Sequence, residues 1–203
     1  GYAFFNNTSA TDTIWVSPFA PTSQSLPRVN SEEIWRLRVS AQCQDARDED
    51  NLILIHTAAA AEWDALDQPE PPVIGDFVTV HFPHHEWELP ASRYSTDARP
   101  SIGEGEVWEF NVQTSIRDVV HLTFEGMNAL KSDYEIYLVD EALSLVQDLR
   151  HQPEYTMSPY RDLRAKSLKI VIGTDAYISG ELQKSGLLPV SYTHLRAHET
   201  VVH

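Results

Sequence analysis

The chain has 203 residues, of which 42% are hydrophobic, and it contains five tryptophans, a composition typical of a folded globular protein. Asp and Glu outnumber Lys and Arg by 30 to 15, and the net charge of −15 argues against binding to nucleic-acid phosphates or to an anionic membrane surface. No apolar run approaches the roughly 18–20 residues of a transmembrane helix, so insertion into a membrane is not expected. The single cysteine, Cys43, excludes an intrachain disulfide bond.

The first 31 residues differ in pattern from the rest of the chain. Residues 1–16 place a polar turn between two short strand-like runs, the first of them aromatic, which predicts a hairpin that ends an upstream domain. Residues 17–31 contain three prolines and four serines, a composition typical of a linker. We therefore expect the main domain to begin at residue 32.

Alternation of apolar and polar residues dominates the central part of the chain. In residues 34–41, for example, Trp35, Leu37 and Val39 share one face of a predicted strand. Eight strands are predicted in this way, at residues 34–41, 52–57, 77–82, 107–114, 119–124, 134–140, 143–148 and 168–173. The side chains predicted to be buried are Trp35, Leu37, Val39, Trp108, Phe110, Val112, Leu122, Phe124, Leu138, Ile170 and Ile172.

These strands predict an all-β fold. The one helix-compatible stretch, residues 57–66, has room for about two turns through its four consecutive alanines. Short strands without helices between them favour an antiparallel two-sheet sandwich, immunoglobulin-like or jelly-roll-like, over residues 32–178. Residues 179–189 are polar and turn-like, and we interpret them as a second linker.

The last fourteen residues are predicted not to derive from the gene that encodes the rest of the chain. Residues 190–200, VSYTHLRAHET, back-translate into the DNA of the adapter used in transposase-based sequencing libraries. We therefore expect residues 190–203 to be translated adapter. For that reason His194, His198 and His203 are not interpreted as a metal site.

The order of landmarks along residues 35–173 resembles that of a known class of modules. The landmarks are a Trp strand, the acidic Asp48–Asn51 stretch, Trp63-Asp64 with Asp67, Glu70-Pro71-Pro72, Asp97-x-Arg99-Pro100, the Trp108 strand, LTFEG at 122–126, YLVD at 137–140 and DLR at 148–150. In this order they resemble β-sandwich modules near the C-termini of large secreted or surface bacterial proteins that carry a type IX secretion sorting domain. The resemblance implies a secreted or cell-surface location and carries over no catalytic residue.

Acidic residues supply the strongest candidate site. Asp45, Asp48, Asp50 and Asn51 form one predicted loop, and Asp64 and Asp67, followed by Glu70, form another. Calcium takes six to eight oxygen ligands, which two acidic loops can supply if they meet. The spacing does not follow the EF-hand, and turn capping by Asp and Asn side chains is the favoured alternative.

A second candidate is the sequence HFPHHE. His81 and His84 with His85 and Glu86 supply ligand types that zinc uses, and zinc needs three or four of them. Pro83 interrupts the predicted strand between the histidines. We therefore favour a solvent loop whose histidines are incidental.

Four aromatic residues, Trp63, Trp87, Tyr94 and Tyr160, suggest a platform for stacking against sugars. In a sandwich, aromatic side chains more often fill the core or cover its ends. The 30 acidic residues leave room for a glycosidase carboxylate pair, but abundance alone does not define a site.

Three functional hypotheses follow. We favour a non-catalytic accessory or spacer module of a secreted or cell-surface bacterial protein, whose partners are other domains of the same polypeptide. The alternative is a calcium-assisted carbohydrate-binding module of a secreted hydrolase, with a polysaccharide partner. The third is a fragment of the hydrolase itself, although the chain contains no GxSxG elbow or phosphate-binding loop.

Overall fold

The computed structural model describes residues 33–158 and 165–187. The predicted hairpin at 1–16, the linker at 17–31, Tyr160 and the adapter-like residues 190–203 lie outside the described residues.

The described residues form two packed sheets. Their strands are β1 (Glu33–Cys43), β2 (Ala46–His56), β3 (Val78–Pro83), β4 (Arg93–Tyr94), β5 (Thr96–Arg99), β6 (Gly105–Thr114), β7 (Val120–Glu125), β8 (Glu135–Asp140), β9 (Leu145–Asp148), β10 (Glu154–Met157) and β11 (Lys166–Gly173). The first sheet has the order β10-β7-β1-β2-β5, and the second has the order β4-β3-β6-β11-β8-β9. Only β5 with β2 pairs in parallel among these strands. The predicted all-β two-sheet sandwich is confirmed.

Alternating side chains from both sheets form the core between them. Every residue that the sequence predicted to be buried is buried, including Trp35 and Leu37 from the first sheet and Trp108 and Phe110 from the second. Each fully buried Val, Leu, Ile or Phe side chain contributes roughly 1.5–3 kcal/mol relative to exposure. The period of two in the sequence therefore identified the core correctly.

The stretch 57–66, predicted to be helix-compatible, contains turns and no helix. Its backbone amides are bound by a side chain instead. Asp64 accepts hydrogen bonds from the N–H groups of Ala60 and Leu66, each at 2.6 Å. An Asp that binds nearby backbone N–H groups competes with helical hydrogen bonding, which explains the difference.

One helix, α1 (Asp175–Lys184), lies where the sequence predicted a polar, turn-like linker from residue 179. The Thr174 side chain caps its N-terminus by accepting from the N–H of Tyr177 at 3.4 Å. A second hydrophobic cluster joins the helix to the outer face of the second sheet; it comprises Val139, Val171, Ile178, Leu182 and Leu187. The packed structure therefore continues past residue 178 to Leu187.

Among the residues that the structure describes, no helix has the length and apolar character needed to cross a membrane.

Candidate functional site

The first group of predicted calcium ligands does not form a loop. Asp48, Asp50 and Asn51 lie within β2, and only Asp45 lies in the turn before it. Asp48 Oδ2 accepts a hydrogen bond from the N–H of Val80 at 2.7 Å. This side chain therefore joins β2 of the first sheet to β3 of the second.

The second group holds a turn together. Asp64 binds two backbone amides within 57–66, and Asp67 Oδ2 accepts from the N–H of Asp64 at 2.9 Å. The other oxygen of the buried Asp67 accepts from the N–H of Ala98 at 2.8 Å. Both carboxylates are thus used as backbone acceptors, as the turn-capping alternative predicts.

Three of the predicted calcium ligands, Asp48, Asp64 and Asp67, accept hydrogen bonds from backbone N–H groups of the protein itself. Within residues 33–158 and 165–187, no three His, Cys, Asp or Glu side chains are placed to hold a metal ion. The acidic side chains that are half-buried or buried here stabilise loops and sheets.

The histidines differ from the solvent loop that the sequence predicted. His81 is buried in β3, and its Nδ1 atom has no hydrogen-bond partner among the described residues. His84 is also buried, whereas His85 is exposed. The predicted solvent loop is therefore wrong for His81 and His84.

His84 lies at the centre of a group of charged and aromatic side chains, here called the His84 cluster. Its members are His84, Glu86, Trp87, Asp97 and Arg99. His84 Nε2 lies 3.0 Å from Asp97 Oδ2, and its Nδ1 lies 2.6 Å from Glu86 Oε1. Arg99 forms an ion pair with Asp97 at 3.3 Å. The ring of Trp87 stacks on His84.

The same arginine reaches the second sheet. Arg99 Nη1 donates to Glu106 Oε2 of β6 at 2.6 Å. Its guanidinium carbon lies 4.5 Å from the ring centroid of Trp108, a cation–π contact. Because Asp97 and Arg99 belong to β5 and Glu106 and Trp108 to β6, the cluster connects the two sheets.

Charge pairing determines the ionisation of the His84 cluster. Burial alone would lower the pKa of His84, but hydrogen bonds to Asp97 and Glu86 outweigh it and raise this pKa. Burial would raise the pKa of Asp97, but the hydrogen bond from His84 and the charge of Arg99 outweigh it and lower that pKa. The pair therefore favours an imidazolium beside a carboxylate.

A second polar group, here called the Glu70 cluster, comprises Asp48, Glu70 and Thr79, and the buried His81 follows Thr79 by two residues on β3. The Thr79 hydroxyl donates to Glu70 Oε1 at 2.5 Å. Burial, with the charge of Asp48 adding to it, raises the pKa of Glu70 to about 7. Burial, with the charge of Arg93 and the neighbouring His85 adding to it, lowers the pKa of His81 to about 4.

Three of the four aromatic residues proposed to stack on sugars are described, and they do not form one platform. Tyr94 is buried in the core, and one face of the half-buried Trp87 is covered by His84. Trp63 alone of these three is exposed, with 48% of its surface accessible.

Sequence reasoning noted Asp97-x-Arg99 as a landmark and missed its role in the His84 cluster. Alternation along a strand places residues i and i+2 on the same face, so this spacing predicts that Asp97 and Arg99 point the same way. No sequence signal places His84 beside them, because that contact depends on how the two sheets pack.

No protein-family model matches the chain, and comparisons with curated proteins and with solved structures likewise found no match.

Proposed function

We propose that this chain is a non-catalytic accessory module, a β-sandwich spacer in a secreted or cell-surface bacterial protein. Its partners would be the other domains of the same polypeptide. The observation that supports this best is the use of its half-buried charges: Arg99 of the His84 cluster links β5 to β6, and Asp48 links β2 to β3. These groups serve the cohesion of the sandwich.

The geometry of the best catalytic candidate also favours this proposal. A histidine acting as a general base needs a free ring nitrogen within reach of a substrate proton. Both ring nitrogens of His84 are within hydrogen-bond distance of carboxylates, and Trp87 stacks on the ring. Carboxylates therefore occupy both ring nitrogens of His84, and Trp87 covers one face, so no ring nitrogen is free to take a proton from a substrate.

Glu70 is the other candidate, because a carboxyl group with a pKa of about 7 suits acid–base chemistry. Its Oε1 is already bonded to Thr79, and its backbone N–H is bonded to the carbonyl of Arg93 at 2.9 Å. These bonds anchor the β2–β3 connection to the second sheet, a structural use of the group.

The location in a secreted or surface protein rests on the resemblance in landmark order and on composition. A net charge of −15 keeps a protein soluble and monomeric through self-repulsion. Such a surface suits a domain that separates neighbours without binding them strongly.

The test uses the 203-residue chain and a panel of soluble and insoluble polysaccharides. We expect no retention in affinity electrophoresis, no shift of the melting temperature by any polysaccharide, and no release of reducing ends. Retention by one polysaccharide would favour the carbohydrate-binding alternative. Release of reducing ends would favour the hydrolase fragment and overturn the proposal.

One observation favours the carbohydrate-binding alternative, namely the exposed indole of Trp63. Planar aromatic rings that face solvent suit sugar stacking. If a polysaccharide retains the chain, Trp63→Ala should abolish that retention. Ile74→Ala is the matched control, because Ile74 is apolar, 90% exposed and in the same β2–β3 connection.

A further inference from the structure

A lysine, an aspartate and a tyrosine meet in the layer between the sheets. Asp140 at the end of β8 is fully buried, and the Lys166 and Tyr155 side chains are nearly so. Lys166 Nζ is in direct contact with Asp140 Oδ2. The Tyr155 hydroxyl donates to the same oxygen at 2.5 Å.

Strand register explains why these groups meet. In β8, Ile136 and Leu138 point into the core, and Asp140 continues that face. In β11, Lys166 continues the core face of Leu168. Tyr155 enters from β10 of the opposite sheet. The amine and the carboxyl group are thus held together by neighbouring strands.

We propose that Lys166 and Asp140 condense into an intramolecular isopeptide bond, an inference that goes beyond the accessory function. A buried ion pair gains little stability, because the cost of removing both charges from water offsets their attraction. A neutral amide and a released water molecule avoid that cost. Holding the two groups in contact also supplies a large effective molarity.

Each oxygen of Asp140 has a neighbour suited to the reaction. Oδ1 accepts from the N–H of Leu143 at 3.2 Å, a donor placed where negative charge develops when Nζ attacks Cγ. Oδ2 is the leaving oxygen, and it is bonded to the Tyr155 hydroxyl, which lies 3.5 Å from Nζ. Tyr155 can therefore relay a proton from nitrogen to oxygen.

The step balances without an oxidant or a co-reactant. Two protons leave the Lys166 ammonium, and both end on Oδ2, one of them through the Tyr155 hydroxyl, which regains its own proton. The Nζ–Cγ bond forms, the Cγ–Oδ2 bond breaks, and Oδ2 departs as water. The nitrogen retains one hydrogen as an amide N–H, and the charges of the pair cancel.

The cross-link would join Asp140 to Lys166. Between these two residues the chain passes from the second sheet to the first and back. After Asp140 the chain forms β9 in the second sheet, passes to β10 in the first, and returns at β11. A covalent bond that closes a loop restricts the unfolded chain and so favours the folded state. With Cys43 as its only cysteine, the chain cannot close this loop with a disulfide.

The test is the intact mass of the denatured 203-residue chain. We expect it to be lighter by one water than the mass of the sequence. Trypsin should then yield residues 132–150 joined to residues 165–169, because cleavage after an acylated Lys166 is blocked. A full sequence mass overturns the proposal, and so does a water loss that maps elsewhere.

Three variants sharpen the result. Lys166→Arg keeps the positive charge but should show the full mass, whereas Lys169→Arg, at an ion-paired lysine on the outer face of β11, should still lose one water. Tyr155→Phe keeps the ring and removes the relay, so it should leave a fraction of chains at full mass. Complete cross-linking of Tyr155→Phe at the native rate would refute the relay.

Discussion

The rings of His84 and Trp87 lie face to face, with centroids 3.6 Å apart and planes 1° apart. A single 3-10 turn, His85–Trp87, brings the indole back over the imidazole, and Glu88 closes it with a positive φ of 52°. A cationic ring over an indole gains cation–π attraction, which favours the protonated imidazole. The stack thus supports the same charge state as Asp97 does.

Removing the imidazole should destabilise the sandwich. His84→Ala leaves the buried Asp97 with Arg99 as its charged partner, so we expect a loss of about 2 kcal/mol, as for other hydrogen bonds to charged groups. Urea unfolding of the 203-residue chain measures it. His85→Ala, at the exposed neighbouring position, should change stability by less than about 0.5 kcal/mol. Equal effects of the two variants would contradict the assigned role.

The penalty for His84→Ala should also depend on pH. Because the pKa of His84 is raised by folding, its contribution is fully present below the unfolded value near 6.5 and is lost as the pH rises through the folded pKa. The variant should therefore differ most from the native chain in mildly acidic buffer. A penalty that grows toward alkaline pH would contradict this sign.

Ionisation of Glu70 should destabilise the folded chain, whereas ionisation of a salt-bridged carboxyl group stabilises it. Its pKa rises from 4.5 to about 7 on folding, so between these values the unfolded chain loses a proton that the folded chain keeps. The free energy of unfolding of the native chain should therefore fall as the pH rises from 4.5 to about 7. Glu70→Gln stays neutral, so relative to the native chain it should gain roughly 1–2 kcal/mol above pH 7.

Thermal unfolding at several pH values tests this prediction. At pH 4 the Glu70→Gln variant and the native chain should have nearly equal melting temperatures, because the native carboxyl group is mostly protonated in both the folded and the unfolded state. Glu62→Gln, at an exposed site in the same β2–β3 connection, is the control and should show no such divergence. A constant difference at every pH would rule out titration of Glu70 as the cause.

Helix α1 rests on two glycines that face each other across β6 and β11. Gly105 and Gly173 are register partners, and a Cβ atom on either would overlap the Tyr177 ring. Gly105→Ala should therefore displace Tyr177 and cost about 1–3 kcal/mol. Gly180→Ala, within the helix and in open space, should stabilise the chain by about 0.5–1 kcal/mol. Two changes of the same sign would contradict this packing.

The difference between predicted and observed structure has identifiable causes. Long strands such as β1 and β6 repeat the alternation of apolar and polar residues several times, so their buried faces were predicted correctly. The strands β4 and β5 span only two and four residues, too few to show a period. Helix α1 contains Ser179 and Gly180, which lower helix propensity, and it is stabilised by docking on Val139 and Val171.

The candidate site could be predicted only in part. Its acidic residues are evident in the sequence, but their role depends on neighbours far along the chain. Asp67 meets the N–H of Ala98, 31 positions later, and Asp48 meets the N–H of Val80. A cluster of acids in sequence becomes a set of separate backbone contacts once the sheets are assembled.

Asp67 provides the direct test of the calcium interpretation. Asp67→Ala removes the acceptor for the N–H groups of both Asp64 and Ala98. Leaving such donors unsatisfied costs about 1–3 kcal/mol, and we expect a loss in that range. Because the carboxylate binds protein groups in the structure, the loss should be the same in calcium and in chelator. Asp50→Ala, at an exposed position of β2, is the control and should change little in either buffer. If calcium instead raises the melting temperature of the native chain and Asp67→Ala abolishes that increase, the two acidic groups bind a cation and the structural role assigned to Asp67 is incomplete.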